Sequence, residues 1–251
     1  MAFKVLSYNI QEGGEGRLSL IADAIRGLDS HAVALLEANS YSNAAALAHE
    51  LGMRLAYGEA NSAFAVAWLS RLPIQRMENH RLAVLAKTLL EVEVTWKGAP
   101  LRLFATHLAS RHDAYQPEEE IPVILDVLRP FARQPHLLMG DLNALCPGDP
   151  VGAAPDGVEK RGDALPGAPR QAIRSITDAG YEDCYRMRHP AAPGYTYPSH
   201  APWLRLDYIF ASPQLAAHLS ACDVVTRREM ERASDHLPVW AEFREHVVSV
   251  G

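Results

Sequence analysis

Residues 136–143 read HLLMGDLN, and this stretch decides the fold. His136–Met139 is a short, nearly unbroken apolar run, too short for a helix. Such a run has no polar face, so it reads as a strand covered on both sides. It ends in Gly140, a tight turn. Beyond it, Asp141 and Asn143 are two oxygen-bearing side chains two residues apart, pointing the same way. An α/β fold builds its site where buried strands meet loops. The same pattern of an apolar strand meeting a polar residue recurs along the chain. Phe3–Tyr8 (FKVLSY) runs into Asn9, Ala32–Leu36 (AVALL) into Glu37, and Leu101–Thr106 into His107. Leu206–Phe210 carries Asp207, and Asp235 with His236 precede a last strand, Val239–Phe243.

Helical patterns separate these strands. Leu18–Leu28 has apolar residues at Leu18, Ile21, Ala22, Ile25 and Leu28, a helical spacing. Asn43–Leu51 reads as a helix closed by Gly52. Helices are also expected over Glu118–Leu128, with Pro122 near the first turn, and over Gln171–Asp178 and Pro213–Leu219. Phe64–Leu69 reads as a strand stopped by Pro73. Thr88–Thr95 (TLLEVEVT) alternates apolar with acidic residues, the mark of a half-exposed strand. Residues 146–169 hold five prolines and five glycines and read as a loop. There is no internal repeat and no linker, so residues 1–251 read as one α/β domain.

Composition narrows the function classes. Hydrophobic residues make up 48% and charged residues 22% of the 251, as in a globular protein and unlike a disordered one. The formal net charge is 24 − 30 = −6. Residues 1–125 contribute 11 − 14 = −3 and residues 126–251 contribute 13 − 16 = −3. No basic tail or stripe stands out, which argues against a dedicated nucleic-acid coat. Cys146, Cys184 and Cys222 are odd in number and far apart, so reduced thiols in a cytoplasmic protein are expected. The start, MAFKVLSYNI, lacks a charged segment leading into an apolar one. No apolar run approaches the ~18 residues needed to span a bilayer. Integral membrane association is therefore not expected.

Acids, amides and histidines at strand ends suit a hard cation and a phosphate ester. Mg²⁺ takes oxygen ligands and keeps several waters, so one or two carboxylates suffice. Glu37 and Asp235 are the candidate ligands. Asp207 is placed to orient His236, and a histidine so held can move a proton near neutral pH. Asn9, Asn143 and His107 can donate to phosphate oxygens as charge develops. Asp141 can hold or deprotonate a water.

The ordered set SYNI, LLE, LSRLPI, THL, GDLNA, TYP, RLDYIF and SDHLPV resembles the endonuclease/exonuclease/phosphatase (DNase I-like) superfamily. The likeness runs from residue 3 to about 243. The superfamily includes DNase I-like nucleases, exonuclease III-like apurinic endonucleases, sphingomyelinases, inositol polyphosphate 5-phosphatases and deadenylases. The resemblance implies a four-layer αββα sandwich of two packed sheets. It implies a divalent metal, Mg²⁺ with Mn²⁺ able to substitute, with Asn9 near it and Glu37 and Asp235 as ligands. It matches His107 to a phosphate-stabilising histidine and Asp141 and Asn143 to the Asp that positions the nucleophile and the Asn beside it. Asp207 and His236 match an Asp-His pair. Two positions depart from the pattern. Gln11 stands where the exonuclease III-like branch has an acid, and Leu36 replaces the usual Gln before the glutamate, removing a polar support of Glu37.

The expected partner is a phosphoester substrate: a small molecule, a lipid head group or a nucleic acid. A non-catalytic phosphoester-binding module is the competing class. Arg71 in LSRLPI is a candidate phosphate contact. Tyr195, Tyr197 and Trp203 are candidates for stacking on a base or sugar. Lys160, Arg161 and Arg170 are candidate contacts to an anion from the Pro/Gly-rich loop.

Overall fold

A strand such as AVALL is stable only with apolar layers on both of its faces. The computed structural model of the chain, which describes residues 2–110, 113, 116–154 and 170–244, supplies both. In chain order the strands are β1 (Phe3–Asn9), β2 (Ala32–Leu36), β3 (Arg54–Gly58), β4 (Val66–Ser70), β5 (Ile74–His80) and β6 (Leu89–Trp96). They continue with β7 (Ala99–His107), β8 (His136–Asp141), β9 (Glu182–Asp183), β10 (Asp207–Ala211), β11 (Leu219–Val224) and β12 (Val239–Phe243). They form two 6-stranded mixed sheets, in the orders β11-β12-β1-β2-β4-β3 and β5-β6-β7-β8-β10-β9. The principal helices are α1 (Leu18–Leu28), α2 (Tyr41–Leu51), α3 (Pro117–Leu128) and α4 (Gln171–Asp178). Three shorter ones are α5 (Cys184–Arg188), α6 (Pro213–Ala216) and α7 (Met230–Ala233).

Side-chain alternation sorts each strand between two layers. Phe3 and Val5 of β1, Ala32, Ala34 and Leu36 of β2, and Val66 and Trp68 of β4 face the second sheet. There they meet Leu101, Leu103, Leu137, Met139 and Ile209. The alternate residues Leu6, Tyr8, Val33 and Leu35 pack under α1 and α2. On the far side, Phe104, Leu138, Tyr208 and Phe210 pack under α3 and α4. The result is the expected four-layer αββα sandwich.

Strand direction gathers the site at one end. β1 and β2 are parallel, as are β7 and β8, so Asn9, Glu37, His107 and Asp141 all emerge together. β10 runs antiparallel to β8 and β12 antiparallel to β1. These two strands therefore bring their beginnings, Asp207 and the preceding Asp235–His236, to the same end.

Several expectations needed correction. β8 does not end at Gly140 but runs through it to Asp141. Gly140 has φ 147°, and a Cβ there would lie 1.8 Å from Thr106 O, so only glycine allows β7 and β8 to approach here. The helix expected over Pro213–Leu219 is one turn, Pro213–Ala216, because Leu219 opens β11. β6 is not half-exposed at Glu91, which is 2% exposed. Arg102 and His80 Nε2 pair with its carboxylate and replace the missing water. Of the Pro/Gly-rich segment 146–169, residues 155–169 lie outside the described residues.

Candidate active site

Asp141 is the centre of the strand-end cluster. In the register of the sheet it is the Cα partner of both His107 on β7 and Asp207 on β10. Its Oδ2 accepts Asn9 Nδ2 at 3.0 Å, a bond that crosses from one sheet to the other. The same oxygen lies 3.5 Å from His107 Nε2 and 3.6 Å from His236 Nε2. Its Oδ1 accepts the Asn143 backbone N–H at 3.0 Å. Asn143 adopts φ 46°, turning its side chain back to face His107 Nε2 and donate to Leu108 O, both at 3.1 Å.

Glu37 stands at φ 56°, where β2 bends away. Its Oε1 accepts Asn9 Nδ2 at 3.2 Å and its Oε2 accepts the Glu12 backbone N–H at 2.9 Å. Asp207 Oδ2 contacts His236 Nδ1 at 2.8 Å. Ser234 Oγ donates to Asn9 O at 2.6 Å and accepts the His236 backbone N–H at 3.3 Å, tying the SDH segment to β1. All eight residues expected at the site are thus gathered at one end of the sandwich, with Asp235 between Ser234 and His236 and close enough to Glu37 and Asp141 to feel their charge.

The two histidines differ in charge. Burial pushes His107 down to about 4, against the pull of Asp141 and with help from the Lys87 ammonium, so it is neutral at pH 7. Burial also opposes charge on His236. Asp207, Asp141 and Asp235 outweigh it and raise that ring to about 10. Burial, with Glu37 and Asp141 nearby, raises Asp235 despite the opposing His236. Carboxylates that crowd one another in this way form a donor set for a hard cation. Asp141, Asp207 and His236 offer ligand atoms within 4.8 Å of one another. Asp207 Oδ1 and His107 Nδ1 are buried with no hydrogen-bond partner among the described residues. Such orphans fit a site whose remaining partners arrive with cation and substrate.

The sequence profile of the Endonuclease/Exonuclease/phosphatase family matches residues 6–236. The chain belongs to this family. An exodeoxyribonuclease III from Haemophilus influenzae is 33% identical over 125 residues, which cover 44% of this chain and 46% of that protein. Among solved structures, an AP endonuclease from Archaeoglobus fulgidus superposes with TM-score 0.77 at 19% identity, covering 97% of this chain and all (100%) of that one. The 3′ phosphatase NExo from Neisseria, bound to a product DNA hairpin, gives TM-score 0.79 at 22% identity over 97% of this chain and 100% of its own. At these identities the superpositions establish the DNase I-like fold.

The departures from the family pattern have local answers. Leu36 is buried between the sheets, and Glu37 takes its support from Asn9 and Glu12 instead. Gln11 contributes its backbone: its N–H donates to Asn9 Oδ1 at 2.9 Å, and its carbonyl accepts the Arg17 guanidinium. Of the candidate substrate contacts, Tyr197 lies against His236, ring centroids 4.7 Å apart. Trp203 is core, packed with Leu145, Leu204 and Leu206, and Gly152 packs against Trp203 and Tyr195. Arg170 donates to Cys146 O and Asp149 O, so it braces its own loop. Lys160 and Arg161 lie outside the described residues. Arg71 belongs to the opposite end of the sheet, bonding Ser30 O at 3.0 Å and pairing with Asp29. A further support comes from a residue with no site signal of its own: Thr196 Oγ1 accepts the backbone N–H groups of Leu206 and Asp207. It lies in the TYP motif, whose tyrosine is the more conspicuous residue.

Proposed function

We propose that residues 1–251 act as one catalytic unit, a divalent-metal-dependent hydrolase of phosphodiesters, with nucleic acid as the leading substrate class. The observation that carries this reading is the convergence on Asp141 Oδ2 of Asn9 Nδ2 at 3.0 Å and two imidazole nitrogens at 3.5 and 3.6 Å. A carboxylate so placed can orient a water and take its proton beside donors for the phosphoryl oxygens. Asp141 is assigned that role. His236, held protonated by Asp207, donates to a phosphoryl oxygen. The neutral His107 ring and Asn143 stand beside it and fix each other's orientation. Glu37 and Asp235, with Asn9 beside them, are assigned to hold Mg²⁺, for which Mn²⁺ can substitute. When bound, the ion supplies Lewis-acid stabilisation of the charge that develops on phosphorus oxygens.

Nucleic acid leads because both the partial match and the superposed structures include proteins named for DNA substrates. Small phosphodiesters and lipid head-group esters are the alternatives, favoured by the even, negative charge of the two halves. Among the described residues no helix is long and apolar enough to cross a membrane. The three cysteines are free, which suits a reducing compartment such as the cytoplasm.

The test is a Mg²⁺/Mn²⁺ activity panel on bis(4-nitrophenyl) phosphate, plasmid DNA, abasic DNA, RNA and phospholipid head-group esters. Hydrolysis lost in EDTA and in Asp141→Asn is expected. Full activity in EDTA, or in that variant, overturns the reading, and binding without turnover on every substrate makes the protein a binding module.

A further inference from the structure

A buried positive charge lies two hydrogen bonds behind Asn143 of the site. Lys87, just before β6, is 2% exposed, and Glu120, in the first turn of α3, is 0% exposed. Neither stands at the end of a motif strand. A buried ion is tolerated only where hydrogen bonds and counter-charges replace its water. Glu120 finds these in the backbone: one oxygen accepts Ala86 N–H at 2.7 Å and the other Ala109 N–H at 2.6 Å. It thus joins the segment before β6 to the segment after β7. Lys87 Nζ donates to Asp113 Oδ2 at 2.6 Å and to Leu108 O at 3.2 Å, and lies 5.6 Å from the centre of the Phe64 ring.

The Leu108 carbonyl is shared. It also accepts Asn143 Nδ2 at 3.1 Å, the amide nitrogen that faces His107 Nε2 at the same distance. An asparagine amide carries two N–H donors. With both directed at fixed acceptors, the rotation of the amide is set, and so is the direction of Oδ1. We infer that Lys87 is a positioning residue of the site: together with Glu120, which holds the Ala109 N–H of the same peptide unit, it fixes the Leu108 carbonyl, and so sets the Asn143 amide and, through it, the His107 ring beside Asp141. This rests on the catalytic reading above. Lys87 itself is directed at Asp113 and Leu108 and acts behind the substrate.

The test is Lys87→Met, which removes the charge and the donor while keeping the stem. Glu120 still joins the two segments, so the chain should fold, while the Leu108 carbonyl loses the side-chain donor on its oxygen. Two readouts are taken. The Asn143 side-chain amide resonances report orientation by NMR and need no turnover. The kinetics of bis(4-nitrophenyl) phosphate hydrolysis report function. The expected result is shifted or broadened Asn143 amide resonances, kcat down about tenfold or more, and KM within about twofold. Lys87→Gln, which keeps an uncharged donor, should recover part of both. In an Asn143→Ala background, Lys87→Met should cost no further kcat, because the two act as one unit.

A folded Lys87→Met with unchanged resonances and kcat overturns the inference, as do additive losses in the double variant. Should Lys87→Met fail to fold, Lys87→Gln carries the same readouts and decides between the same two outcomes. Should the wild type hydrolyse none of the panel, the catalytic reading falls, and the Asn143 resonances still decide whether Lys87 sets the amide.

Discussion

Two of the buried charge clusters among the described residues are built on opposite principles. In one, Arg205 bonds Asp149 through Nε at 2.6 Å and pairs with Asp183 through Nη1 at 2.7 Å, while Arg186 takes the other Asp149 oxygen at 2.7 Å. Two guanidinium groups meet two carboxylates, and the charge closes. In the other, Glu37, Asp141, Asp207 and Asp235 face one protonated histidine, His236, and one neutral histidine, His107. The first cluster joins the 146–154 segment to α5 and the start of β10 with its charges balanced. The second is short of positive charge by its choice of residue types. A buried set that neutralises itself holds backbone; a buried set that does not holds a place for a cation.

If that contrast is right, substitution should damage activity in one cluster and stability in the other. The largest effect is expected at Asp141. Asp141→Asn keeps the shape and the Asn143 bond but loses the proton acceptor, so kcat for bis(4-nitrophenyl) phosphate should fall by roughly two to four orders of magnitude. The melting temperature should change little, because relief of repulsion with Asp235 is offset by lost attraction to the protonated His236. Next is Arg205→Met, which strands the buried Asp183 and leaves Asp149 with Arg186 alone. Breaking a buried pair on one side costs about 3–5 kcal/mol. Denaturant unfolding should show that loss, while kcat per folded molecule changes less than about threefold. A reversed pattern, with Asp141→Asn unstable and Arg205→Met stable but inactive, would break the comparison.

Proton and metal should act on the second cluster alone. The folded pKa of His236, about 10, lies above the ~6.5 of an unfolded histidine. Its protonated ring therefore contributes stability in full below about pH 6.5 and loses it as pH rises through about 10. In EDTA, the difference in melting temperature between wild type and Asp207→Asn should shrink across that window. Mg²⁺ should stabilise the wild type in the same assay, by about 2.7 kcal/mol at one hundred times its dissociation constant. The gain should shrink in Asp235→Asn, and Arg205 variants should keep it.

Much of this contrast is legible in the amino-acid sequence, and the part that is not has a physical reason. β1, β2, β7 and β8 are buried on both faces, so their apolar runs announce them, and the polar residues at their ends announce the site. β3 and β5 are edge strands; β5 exposes Gln75, Arg76 and Met77 and carries no alternation to recognise. Its place is defined by hydrogen bonds to β6, which no local pattern records. Lys87 in LAKTLL and Glu120 in PEEEIP look like ordinary surface charges, and only the meeting of β6, β7 and α3 buries them. Glu91 shows the same limit: an acid in an alternating strand reads as solvated until Arg102 and His80 are known to cover it.

Arg71 gives the smallest expected effect and the cleanest control, because its distance from the site has a geometric cause. It follows a strand, as Asn9, Glu37 and His107 do, and LSRLPI invites the same reading. But β4 runs antiparallel to β2, pairing Val66 with Leu36 and Ser70 with Ala32. Its end therefore points away from the site, while its beginning lies beside Glu37. Four residue steps of about 3.3 Å put Arg71 some 13 Å or more along the sheet from the catalytic end. There its pairing with Asp29, whose side chain is 87% exposed, is a surface ion pair worth at most about 1 kcal/mol. Arg71→Gln also loses the bond to Ser30 O, so it should lower stability by no more than about 2 kcal/mol and leave kcat and KM unchanged within about twofold on every substrate the wild type cleaves. A selective rise in KM for DNA would mean that substrate reaches the far end of the first sheet, and the division of labour between the two ends would have to be redrawn.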